Sequence, residues 1–196
     1  MDSYKKISMH ILNSDYDAAW RIVEEHQHYN TKKTIMDEDF IKAIPPNPSI
    51  DLVFELITSV KGGSYTFYCV KEDNNIAVVS NYFDTFYDVD DIVAWSARSS
   101  KKIIVIEDTE NELKIYFINK RKLITLFQKN NEHAEFDSEK LSNLFNIDKT
   151  KTDFLRSDDR EEILKNISAL FKINLNIGMQ GILEGNYQYE DFTYII

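Results

Sequence analysis

The sequence predicts an α+β fold: an antiparallel sheet of about five strands, arranged as a meander and flanked by N-terminal and C-terminal helices. Three observations predict it. Apolar residues recur at helical spacing toward both ends of the chain. Runs rich in β-branched and aromatic residues fill the middle. Short polar turns join those runs, and short connections impose antiparallel neighbours.

In chain order, Ser14 is a candidate helix cap with Asp17 three residues on, and Tyr16, Ala19, Trp20 and Val23 make one apolar face that fades near Tyr29-Asn30. A weaker helical turn is expected over Asp37 to Ala43, ended by Pro45-Pro46. Asn47 and Pro48 then suit the cap and first turn of a helix to Val60, with Gly62-Gly63 as the stop. Tyr65 to Val70 and Ile76 to Asn81 read as a hairpin about Lys71-Glu72-Asp73-Asn74-Asn75. A short helix is expected from Val89 to Ala97, capped by Asp88. Strands follow at Lys102 to Glu107, Glu112 to Ile118 and Lys122 to Phe127.

The C-terminal third returns to helix. One starts at Asp137 or Ser138 and carries Leu141, Leu144 and Phe145. Another is capped by Asp158 and lined by Ile163, Leu164, Ile167, Leu170 and Phe171. The tail from Gly185 to Ile196 suits an edge strand or an extended arm. The expected organisation is one domain over the 196 residues: helices over about 1–60, the sheet over about 64–128, and helices and tail over about 137–196.

Charge sets the expected partner. Asp and Glu total 33 against 23 Lys and Arg, a formal net charge of −10, which repels nucleic acid and anionic membranes and attracts basic surfaces. The single cysteine, Cys69, excludes an internal disulfide and fits a reduced, cytoplasmic compartment. No apolar run approaches the ~20 residues that cross a bilayer.

Acid and aromatics meet in one stretch. Tyr82, Phe83, Asp84, Phe86, Tyr87, Asp88, Asp90 and Asp91 are the expected partner-binding residues. Acid at a helix start needs no function to explain it, but adjacent aromatic pairs on a loop cannot all point inward, and such rings suit interface cores. As a calcium loop the stretch fails: counting from Asp84 puts Val89 at the sixth position and Trp95 at the twelfth, where Gly and Glu are needed. His26 and His28 sit about 200° apart on a helix and cannot share an ion. His10 and His133 belong to no metal spacing, and Gly62-Gly63-Ser64 is no phosphate loop. No cofactor, metal or catalytic residue is expected.

These observations predict a non-catalytic, immunity-type binding protein. Its target would be basic, such as a nuclease toxin or another nucleic-acid-handling enzyme. An antagonist of phage type, mimicking nucleic acid to block a defence protein, would use the same chemistry. The contrasting class is an enzyme with a scattered site, its candidates Cys69, His26 and the acidic cluster. A further option is a subunit whose tail, Tyr187 to Ile196, pairs with another chain's sheet edge.

Overall fold

The computed structural model describes residues 5–35, 64–80, 83, 88–130, 134–157 and 159–195. The expected turn over Asp37 to Ala43 and the expected helix from Pro48 to Val60 lie outside them.

The first strand, β1 (Lys5–Leu12), corrects the expectation of an all-helical N-terminal segment. Ile7, Met9 and Ile11 alternate with Lys6, Ser8 and His10, which is the period of a strand. Helix α1 (Tyr16–Ile35) follows. Its start is capped by Asp15 rather than Ser14: Asp15 Oδ1 accepts the Ala18 N–H at 2.9 Å. That bond holds the Asp15 carboxyl below its ordinary value. The hairpin β2 (Ser64–Glu72) and β3 (Asn75–Ser80) turns at Asp73-Asn74. Next come α2 (Val89–Trp95), a 3-10 turn (Ser96–Arg98), and the strands β4 (Lys102–Thr109), β5 (Glu112–Asn119) and β6 (Lys122–Asn130). The β5–β6 turn puts Lys120 and Arg121 at φ of 48° and 65°, the left-handed pair that a two-residue hairpin loop requires. A three-residue strand β7 (Ala134–Phe136), helix α3 (Ser138–Phe145), a 3-10 segment (Lys149–Arg156), helices α4 (Arg160–Phe171) and α5 (Met179–Leu183), and strand β8 (Tyr189–Ile195) complete the order.

Among the described residues the sheet has eight strands, not about five, in the order β7-β6-β5-β4-β1-β3-β2-β8. Every neighbouring pair is antiparallel. It is also not one meander. β1 is inserted between the β2–β3 hairpin and the β4–β5–β6 meander, so β3 reaches β4 by crossing β1 through α2. Read alone, β1-α1-β2-β3-α2-β4 has the split βαβ, ferredoxin-like order, extended on one edge by β5 to β7 and on the other by β8. The tail is thus the edge strand of the two forms expected for it, paired along β2 from Val70↔Tyr189 to Ser64↔Ile195.

Alternation sorts the strands onto two faces. On one, α1 and α2 cover Met9, Ile11, Phe67, Cys69, Val78, Ile103 and Val105. Phe67, Phe83 and Trp95 pin α2 there: Phe67 meets both other rings edge-on at 6.1 and 6.2 Å, and Phe83 stacks on Trp95 at 6.4 Å. On the other, α3 and α4 cover Ile104, Ile106, Ile115, Phe117 and Phe127, while Ile177 and Ile182, from α5 and the segment before it, cover Val70 and Ala77. The β5–β6 register shifts between Ile115 and Tyr116; the extra residue, Leu126, lets two adjacent side chains, Leu126 and Phe127, be buried on the same face. Helix α4 is capped by Asp159, one residue after the expected Asp158, which is outside the described residues; Asp159 Oδ1 accepts the Glu161 N–H at 2.9 Å.

Candidate partner interface

The acidic-aromatic stretch is described only in part. Tyr82, Asp84, Phe86 and Tyr87 lie outside the described residues. Of the other four, Asp88 and Asp90 are exposed, whereas Phe83 is 1% and Asp91 is 4% exposed. Phe83 is therefore a core ring holding α2 to the sheet, and Asp91 faces into the fold. Asp88 is the N-cap of α2, its Oδ1 accepting the Asp90 N–H at 3.0 Å. That leaves Asp90 as the carboxylate of this group both exposed and free of a capping duty.

The crossover brings further acid to Asp90. Glu107 on β4 and Glu112 on β5 share, by strand alternation, the sheet face of Val105 and Tyr116, which carries α2. Tyr116 stands among them, its hydroxyl 3.5 Å from Glu107 Oε2. Burial pushes the Tyr116 phenol up, and Glu107, Glu112 and Asp90 push it further, because each opposes a second negative charge. One phenol thus senses carboxylates delivered by α2, β4 and β5. Part of this charge is compensated: Lys114 Nζ lies 2.6 Å from Glu112 Oε2, and Gln128 Nε2 donates to Glu112 Oε1 at 2.6 Å. On the opposite face of the same hairpin Arg160 clasps Asp108 and the carbonyls of Thr109 and Glu112. No cation pairs with Asp88, Asp90 or Glu107 among the described residues.

Glu107, Glu112 and Tyr116 are absent from the residues expected of the site. In the sequence Glu107 and Glu112 read as strand ends around a charged turn and Tyr116 as an interior strand residue; only the β3-α2-β4 crossover relates them to Asp90.

Of the residues named for an enzyme, Cys69 is described together with its surroundings. Cys69 is 0% exposed on the face under α1 and α2, and burial pushes its thiol up to about 12, with Glu190 adding to the effect. A thiol so placed stays protonated near neutrality and does not act as a nucleophile. The side chains of His26 and His28 lie outside the described residues, as does His133. No group of three or more His, Cys, Asp or Glu side chains gathers around a common point among the described residues, and no helix among them is long and apolar enough to cross a membrane. Compared with known proteins, the chain matches no family model, no curated protein and no solved structure.

Proposed function

We propose that this protein acts by binding, without catalysis, and neutralises a basic target of the nuclease-toxin kind through the acidic end of the sheet. The observation that carries the reading is the surround of Tyr116, where Asp90, Glu107 and Glu112 all disfavour a further negative charge. Such a face speeds encounter with a positive cleft and penalises anionic competitors. Asp88 and Asp90 form its α2 side. Tyr82, Asp84, Phe86 and Tyr87, immediately before that helix, supply the rings and acid for the desolvated centre of the contact. Phe83 and Asp91 contribute from beneath, by fixing α2.

The test is capture of partners from the native host with the wild-type chain and with Asp90→Asn/Glu107→Gln. That pair removes two charges without touching a helix cap. Recovery of a basic protein should fall at least tenfold in the variant, about 1.4 kcal/mol of binding. Equal recovery by both chains would place the interface elsewhere.

A further inference from the structure

The centre of the sheet departs from the pattern of the rest. On the face covered by α3, α4 and α5, the strands beside β1 present Ala77 and Val79 on one side and Ile104 and Ile106 on the other. Between them β1 presents Lys6, Ser8 and His10, and returns to apolar only at Leu12. A cation, a hydroxyl and an imidazole in the middle strand of a covered sheet are costly to desolvate. They also separate two apolar clusters that would otherwise merge. Local departures of this kind concentrate at functional sites.

The backbone opens beside this row. β1 stays paired with β4 down to Lys5, and β3 stays paired with β2 up to Ser80, yet the β1–β3 ladder covers only Met9–Ile11 against Ile76–Val78. The strands part at Ser8 and Val79. A cavity of about 200 Å³ fills the gap, lined by Lys6, Ser8, His10, Val79, Ser80 and Met179 among others. This is room for a small polar molecule.

Two side chains of the row have capacity to spare. His10 is 2% exposed, and its Nδ1 lies 2.9 Å from Glu72 Oε2. A carboxylate only accepts, so Nδ1 carries the proton; the other Glu72 oxygen accepts the Asn174 N–H, which fixes the carboxylate. His10 Nε2 has no hydrogen-bond partner among the described residues. In the neutral ring that nitrogen is an acceptor, and a carboxylate behind an imidazole is the arrangement that orients a ligand-binding histidine. Lys6 donates to the Leu175 carbonyl, and no carboxylate pairs with it among the described residues. It also lines an adjoining groove of about 650 Å³, and so stands where the cavity meets the outside.

We propose that the gap between β1 and β3 binds a small oxyanion that bears a hydroxyl, its charge against the Lys6 ammonium and its O–H donated to His10 Nε2. Hydroxycarboxylates and monohydrogen phosphate share this chemistry. The test is titration of the full chain, labelled with ¹⁵N-histidine, with lactate in one arm and inorganic phosphate in the other. The His10 Nε2 resonance should shift saturably, and the arm in which it saturates identifies the oxyanion. Lys6→Met should weaken that binding at least tenfold and leave the ligand-free His10 signals in place. Absence of a saturable shift in both arms up to roughly 10 mM would overturn the proposal, as would a titration that Lys6→Met leaves unchanged. If the variant does not fold, the wild-type titration decides alone.

Discussion

Cys69 shows how one side chain ties this fold to pH. Its sulfur is enclosed by the α1–α2 face of the sheet, and burial raises its thiol from 9.0 to about 12. Ionised thiolate is thus favoured in the unfolded chain and disfavoured in the folded one. The stability this confers is complete below pH 9.0 and is lost as pH rises toward about 12. Within that window one unmatched proton costs about 1.4 kcal/mol per pH unit. Tyr116 acts in the same direction from its own ordinary value of 10.0 upward. Denaturant unfolding of Cys69→Ala at pH 8 and at pH 10.5 should therefore show a smaller alkaline loss than wild type, even though the variant starts lower through its lost packing. An equal loss in both proteins would mean that the thiol reaches water in the native state. Burial of Cys69 was legible in the sequence, because its neighbours are apolar. The carboxylates around Tyr116 were not, because Asp90 lies far from Glu107 and Glu112 along the chain.

At the scale of elements, β1 decides the architecture. It has β4 along its whole length on one side and β3 over three residue pairs on the other, so it joins two antiparallel units that are otherwise separate. Ile11 is 0% exposed within it, between Ile76 and Ile103. Ile11→Ala should cost about 2–5 kcal/mol and Ile11→Val about 0.5–1.5, measured by denaturant midpoints. Glu190→Ala on the exposed edge strand should stay within about 0.5 kcal/mol. An Ile11→Ala cost as small as that of Glu190→Ala would mean that β1 is an appendage and not the centre of the sheet. The strand's alternation of Ile7, Met9 and Ile11 was visible, but its other face reads Lys6, Ser8, His10, which gives no sign of burial on both sides. The β2–β3 and β4–β5–β6 strands were legible because their turns carry their own chemistry. Sheet order was not, since β1 pairs with strands far along the chain. Helix starts shifted by one residue, Asp15 for Ser14 and Asp159 for Asp158, where two adjacent side chains are both able to cap and only backbone geometry chooses between them.

For the molecule as a whole, the total charge and its placement make different predictions. A net charge of −10 attracts any cation at long range, whichever carboxylates carry it. The Debye length shrinks from about 30 Å at 0.01 M salt to about 8 Å at 0.15 M, so at higher salt only local charge counts. Two double variants separate the cases. Asp90→Asn/Glu107→Gln removes two charges beside Tyr116. Asp17→Asn/Asp73→Asn removes two exposed charges at the opposite end of the β1–β4 ladder, where α1 starts and the β2–β3 hairpin turns; Asn also tolerates the φ of 44° at position 73. Titration with a lysine-rich peptide at 0.01 M salt should find both variants weakened to a similar degree. At 0.15 M the Asp17/Asp73 variant should bind as wild type does, and the Asp90/Glu107 variant should remain weaker by at least fivefold, about 1 kcal/mol. Equal behaviour of the two variants at the higher salt would mean that the carboxylates act only through their sum. The crossover that gathers Asp90, Glu107 and Glu112 would then have no bearing on which partner the protein selects.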